Sequence, residues 1–238
     1  MIPVTRIPEP KAITRNGVRW LRKVKETRDS LNNALADPSK KNEINKARNK
    51  LKQAIEKYRH DDIKKALVKM FLGKCAYCES RIPHITYGAI EHFRPKSDPA
   101  FEHLAFEWTN LLLSCDICND AGHKGTKFPV DSSGNPLFID PTDGVINPNT
   151  HLDFSWDEVA ELASIYGRDA KGQEVERVFE LNRKELLKIR SQHIKLLIVL
   201  LELAKTGHPG AIALLKESCE PGAEYSAFAL IHICPHLP

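Results

Sequence analysis

Two Cys-x2-Cys pairs, Cys75-Ala-Tyr-Cys78 and Cys115-Asp-Ile-Cys118, bracket 36 residues of this chain, and they restrict its fold more than any other feature. Each pair forms a knuckle that sets two thiolates on one ion, and two knuckles complete a tetrahedral four-sulfur site of the kind that holds structural zinc. A single pair reads equally well as a redox motif beside a strand and a helix. Two pairs in one short region argue for a shared ion. The 36 intervening residues exceed what a plain zinc ribbon needs, so something else is folded between the knuckles. The other two cysteines, Cys219 and Cys234, have no partners at metal spacing even with His232 and His236 nearby. They read as buried thiols.

With 238 residues, 42% apolar and 28% charged, the chain can bury a proper core without a disulfide framework and is not disordered as a whole. No stretch reaches the roughly 18 uncharged apolar residues of a membrane span. The opening MIPVTRIPEP has no apolar signal-peptide core. A cytoplasmic protein without membrane contact is the expectation. Charge is unevenly spread: residues 1–74 hold 20 Lys+Arg against 8 Asp+Glu. Such an excess suits phosphate contact, or else a solvated Lys-rich helical surface.

Three regions follow from the pattern. Residues 1–74 comprise an extended Pro-containing arm over residues 1–13 and a basic helical region. Val18, Leu21, Val24, Leu31 and Leu35 space one helix, and Ile44, Ala47, Leu51, Ala54 or Ile55, and Tyr58 a second. Asp37-Pro38 would cap the second helix, and the two would form an antiparallel hairpin. A third helix from near Asp62 stops at Gly73. Residues 75–130 hold the cysteine pairs. Residues 131–238 read as a mixed, mostly helical region with strand-like runs at His151–Trp156, Glu161–Tyr166 and Glu174–Phe179. There Asn182, with Glu185 three residues later, would cap a long helix ending at Gly207, and Ala211–Ser218 would form another.

Between the knuckles lie Glu91-His92, then Arg94-Pro95-Lys96, then Trp108-Thr109-Asn110-Leu111-Leu112-Leu113, and Asn119 directly follows the second pair. This order of paired cysteines, acidic-His, Asn-Leu, paired cysteines and Asn resembles the HNH endonuclease family with its ββα-metal fold. The resemblance is specific over about residues 75–130. EHFRPK, WTNLLLSCDICN and the FID-turn-strand region beyond are similar, more loosely, to the HNH subunits of retron-associated and Septu-type anti-phage systems. The implied fold class is α+β and mainly helical: a zinc-braced ββα-metal HNH module between an N-terminal helical hairpin and a C-terminal mixed region.

The resemblance also implies chemistry. Phosphodiester hydrolysis needs an activated water and a cation against the developing charge. His92 would be the general base, a task that suits a side chain whose ordinary pKa lies near neutrality. Glu91, where the family more often has Asp, and Asn119 would hold Mg2+ or Mn2+, hard ions that prefer oxygen donors. Asn110 would fix the loop and orient the base. Cys75, Cys78, Cys115 and Cys118 would hold a structural Zn2+ with no open position. Arg94, Lys96, Lys124 and Lys127 are candidates for phosphate contact or for solvated surface, Trp108 for packing, and His123 for the third motif position, for phosphate contact or for neither.

The function implied is a metal-dependent HNH endonuclease, with DNA favoured over RNA as substrate, serving as effector of an anti-phage complex. Partners implied are nucleic acid, an ABC-type ATPase subunit and, in a retron setting, a reverse transcriptase with its RNA–DNA product. No Gly-x4-Gly-Lys-Ser/Thr occurs in the sequence, so any ATP dependence would come from another chain. The competing reading is a non-catalytic, zinc-stabilised nucleic-acid-binding or scaffold protein.

Overall fold

The computed structural model describes residues 1–82 and 86–238. The described residues form a mixed α+β fold of helices and two small two-stranded sheets. It divides into two units: a smaller one of Ile7–Lys69 and Ile90–Leu112, and a larger one of Met1–Arg6, Met70–Ala89 and Leu113–Pro238.

The smaller unit is built on a helical hairpin, α1 (Lys11–Leu35) and α2 (Lys41–Ile55). α1 starts earlier than the prolines suggested, because Pro3, Pro8 and Pro10 all precede its first turn, with Pro10 at the N-cap. Its inner face also differs from expectation. Trp20, Val24, Thr27 and Leu31 are buried, whereas Val18 is 88% exposed and Leu35 also lies outside. The stripe is set by Trp20 and the hydroxyl of Thr27, which donates to the Lys23 carbonyl at 2.8 Å and so buries without cost. On α2 the expected Ile44, Ala47, Leu51 and Ala54 are the buried positions. Asp37 does not cap α2. It accepts from the backbone and hydroxyl of Ser39 within the turn, and Lys40 sits at the N-cap.

A short 3-10 turn, Glu56–Arg59, leads into α3 (Asp61–Met70), which ends in left-handed Leu72 and Gly73. The hairpin holds the 90–112 segment through Trp20 against Phe106 (5.5 Å between rings), the Arg28–Glu102 ion pair, and Trp108, whose Nε1 donates to the Ile7 carbonyl at 2.9 Å. Trp108 is thus a packing anchor. Strands β1 (Ala89–His92) and β2 (Leu111–Ser114) pair with each other, and the chain passes from one unit to the other within each strand.

The larger unit contains α4 (Asp116–Asn119), α5 (Pro148–His151) and a hairpin of β3 (Leu152–Asp157) and β4 (Leu162–Gly167), with Phe154 opposite Ile165. The helices α6 (Ala170–Phe179), α7 (Lys184–Lys205), α8 (Pro209–Ser218) and α9 (Ser226–His232) follow. Glu174–Phe179, a strand-like run in the sequence, is helix: Asp169 caps α6 by accepting from the Gly172 N–H. Asn182 caps nothing. Its amide is spent on both backbone groups of Ile165, at 2.9 and 2.6 Å, and Arg183 takes the N-cap of α7. Fully buried Arg190 spreads its guanidinium over the Ala163 and Leu181 carbonyls and the Asn182 side chain. Burial pushes its pKa down to about 10.

Cys219 and Cys234 are not thiols but a disulfide. Fifteen residues apart, they meet because α9 folds the chain back and brings their Cα atoms to 5.9 Å, inside disulfide range. Metal spacing was the wrong test for that pair. Among the described residues no helix is long and apolar enough to cross a membrane.

Candidate functional site

The two knuckles come together in the larger unit. The four sulfurs of Cys75, Cys78, Cys115 and Cys118 lie within 4.8 Å of one another, and those of Cys78 and Cys115 are 3.8 Å apart. A tetrahedron with Zn–S bonds of about 2.3 Å has edges of about 3.8 Å, so donors and spacing fit zinc. The first knuckle is closed by the Lys74–Arg81 bridge and pinned to the end of β2 by the Ala76 N–H on the Leu113 carbonyl at 2.8 Å. Its turn uses left-handed Glu79, whose φ is +62°. The buried Glu79 carboxylate is held by Lys74 at 3.1 Å and by Ser226 at the start of α9.

The second knuckle opens α4, with Cys115 as N-cap. Burial pushes the Cys75 thiol up, while hydrogen bonds with Cys115 and Cys118 hold Cys78 well below the ordinary thiol range. The Arg183 guanidinium approaches the Cys118 sulfur at 4.0 Å. Burial lowers the pKa of Arg183, but the neighbouring sulfurs raise it more, so it stays charged against them. Zinc held by these four thiolates would carry net negative charge, which Arg183 would oppose.

Glu91, His92 and Asn110 lie in the smaller unit; Asn119 lies with the cysteines in the larger one. Glu91 and His92 end β1 and are 3% and 4% exposed. His92 Nε2 is 3.0 Å from the Ala105 carbonyl. A carbonyl only accepts, so Nε2 carries the proton and the basic lone pair belongs to Nδ1. The ring meets Tyr58 edge-on at 4.6 Å, and Lys96 Nζ lies 4.7 Å from the centre of the same Tyr58 ring.

Asn110, 3% exposed, accepts from the Arg94 N–H at 2.8 Å and donates to the Arg94 and Leu104 carbonyls. It therefore clamps both ends of the loop that carries the Ala105 carbonyl. Residues 75–125 match the model of the HNH endonuclease family. The chain carries an HNH domain.

Relatives extend the likeness beyond the HNH domain. The chain is 34% identical over 164 residues to Septu protein PtuB of Bacillus mycoides (strain KBAB4), covering 59% of this chain and 54% of that protein. It is 35% identical over 186 residues to Septu protein PtuB of Bacillus thuringiensis, covering 69% of this chain and 65% of that protein. It is also 28% identical over 166 residues to 22% of Septu protein PtuA of Bacillus mycoides, a stretch covering 60% of this chain. The chain thus spans between about half and two thirds of the PtuB relatives it matches. No solved structure matches.

Around the HNH domain the cations separate. Lys124 is fully buried, so it contacts no phosphate; the backbone carries it inward, with its N–H on the Cys118 carbonyl at 3.3 Å. Lys127 donates to the Gly122 carbonyl at 2.7 Å, while Arg94 and Lys96 are half-buried. His123 lies between Asp120 (3.1 Å) and Glu180 (3.6 Å). Tyr58, the Ala105 carbonyl and Arg183 were not found from sequence. Tyr58 counted only as an apolar position on a helix, a carbonyl leaves no residue signature, and Arg183 stands 65 positions from its sulfur.

Proposed function

We propose that the chain is an endonuclease in which His92 is the general base for phosphodiester hydrolysis. The observation that carries this is the tautomer of His92, fixed inside an HNH domain by the Ala105 carbonyl. With Nε2 holding its proton, Nδ1 accepts the proton of the attacking water, and the imidazolium that forms keeps its bond to the carbonyl. Asn110 keeps the loop at Arg94 and Leu104 in place, so the ring does not rotate between turnovers. Glu91 and Asn119 each carry a hard oxygen donor of the kind that Mg2+ or Mn2+ prefers, and the resemblance to the HNH family assigns them to that cation. That cation would neutralise charge developing on the phosphate and the leaving oxygen. The sulfur cluster would hold zinc and take no part in bond breaking.

The resemblance to Septu PtuB supports an effector of an anti-phage system, acting with an ABC-type ATPase subunit. The named relatives are Septu proteins, so this setting is preferred to the retron one with its reverse transcriptase and RNA–DNA product. DNA is the favoured substrate and RNA the alternative. The test is cleavage of plasmid DNA and of total RNA in parallel, with Mg2+, with Mn2+ and with neither, in the presence and absence of the ATPase subunit. Cleavage that needs a divalent cation supports the reading; cation-independent cleavage, or none with either subunit combination, overturns it.

The burial of His92, 4% exposed, favours a second reading, a zinc-stabilised nucleic-acid-binding scaffold. That protein would bind nucleic acid in a salt-sensitive way and ignore both Mg2+ and substitution of His92.

A further inference from the structure

We infer that the groove between α1 and α2 is a track for the phosphate backbone of the nucleic acid that the HNH domain is proposed to cut, an inference that rests on that proposed function. The groove has a volume of about 490 Å3 and is lined by Lys23, Ser30, Lys50, Gln53 and Lys57 around Glu26. A second concavity of about 310 Å3 shares Lys23, Glu26 and Lys57 and adds Arg19 and Arg22.

Glu26 is the acid among them, and it pairs with Lys23 at 3.1 Å and Arg22 at 3.9 Å. Lys50 and Lys57, both exposed, have no carboxylate partner among the described residues. Lys50 stands on α2 and Lys57 on the 3-10 turn that follows it, and both line the same groove, so their charges add there. A protein partner would be expected to meet an apolar patch depleted in charge at its centre. This groove has buried Thr27 and Ala54 beneath exposed cations with amide and hydroxyl neighbours, and those cations supply the chemistry that reads phosphate and sugar.

The track also shares a unit with the proposed base. Lys57 precedes Tyr58, whose ring touches His92, and Lys96 lies over that same ring. Groove, ring and imidazole all belong to the smaller unit. A strand seated along Lys50 and Lys57 would therefore be held on the same unit as the base proposed to activate water.

The experiment measures binding of a fluorescein-labelled DNA duplex by the full chain across a salt series, in a His92→Ala background so that nothing is cut. The parent is compared with Lys50→Ala/Lys57→Ala and with a charge-matched control, Lys188→Ala/Lys216→Ala, taken from exposed positions of α7 and α8. Each lost phosphate contact makes the slope of log affinity against log salt shallower by about one. The groove variant is expected to lose about two units of slope. Between about 50 and 200 mM salt the parent then weakens about 10-fold more than the groove variant does. The control is expected to keep the parent slope.

Equal slopes for parent and groove variant overturn the inference, as does an equal loss in the control. Impaired association with the ATPase subunit at unchanged slope also overturns it, because the groove would then serve a protein. If the unsubstituted chain binds with the expected slopes but never cleaves, the proposed nuclease fails and the phosphate track stands. If it cleaves while the groove variant keeps the parent slope, the track alone fails.

Discussion

Tyr58 touches the imidazole of His92 from outside the matched HNH segment, and the two rings lie 4.6 Å apart at nearly a right angle. Its hydroxyl is engaged elsewhere, accepting from Arg59 Nε at 3.2 Å, so the contact with His92 is made by the ring. Tyr58→Phe is therefore expected to keep near-parental cleavage, while Tyr58→Ala lowers kcat about 10-fold or more with KM little changed, since a displaced base costs rate rather than binding. Steady-state kinetics of the two variants decide it; equal loss in both would move the effect to the hydroxyl. What sequence could reveal at this scale was the local order Glu91-His92, Asn110 and Asn119. The partners that orient His92 come from 34 and 13 positions away, and one of them is a backbone carbonyl. The inward course of Lys124 was hidden for the same reason, because burial of a lysine is decided by tertiary packing.

Among the elements, α6 packs its first turn against the end of the β3–β4 hairpin so closely that only glycine fits. A Cβ on Gly172 would lie 1.9 Å from the His151 carbonyl oxygen, and one on Gly167 would lie 2.1 Å from the Gln173 nitrogen. Gly172→Ala should lower stability by about 3 kcal/mol, read from chemical denaturation, because the atoms it meets are backbone and cannot step aside. An unchanged midpoint would mean that α6 is free to move away. Asp169 caps the same turn and holds His151 Nδ1 at 2.6 Å. Burial raises its pKa, but the Gly172 N–H and the His151 ring outweigh that and keep it below the ordinary carboxylate value.

A depressed carboxyl contributes stability that is present above the unfolded value near about 4 and is lost as pH falls through the folded one. The melting difference between the parent and Asp169→Asn should thus be present at neutral pH and shrink on acidification below about pH 4. A difference that persists there would contradict the assignment. The strands β3 and β4 and the helices α2, α3 and α7 were legible because one apolar face repeats over enough residues. At α6 the run Glu174–Phe179 holds β-branched and aromatic residues in too short a stretch to fix a period, although Val175, Val178 and Phe179 do stand at helical spacing, and its deciding features, an Asp cap and a Gly contact, lie outside that run.

For the molecule as a whole, the sulfur cluster is braced by a region whose role the sequence did not reveal. Phe179 of α6 stacks on Tyr77 inside the first knuckle at 3.9 Å, Arg183 faces Cys118, and Tyr225 meets Ser80 at 3.3 Å. The cysteines gave away the cluster because paired thiols at fixed spacing have few other uses; its supports are ordinary side chains drawn together from residues 179–226. One zinc per chain is expected by elemental analysis, with Cys75→Ser losing the metal and chelation lowering the melting temperature. A chain that melts identically with and without chelator would remove zinc from the account.

The central claim is that His92 takes a proton from water, and the most direct measurement is cleavage of plasmid DNA by the parent, His92→Ala and His92→Asn. The Asn variant retains an amide donor for the Ala105 carbonyl, so it guards against a loss that is only structural. Both substitutions are expected to lower the rate by about 100-fold or more at unchanged zinc content. A folded variant of either kind that cuts at the parental rate would contradict the account.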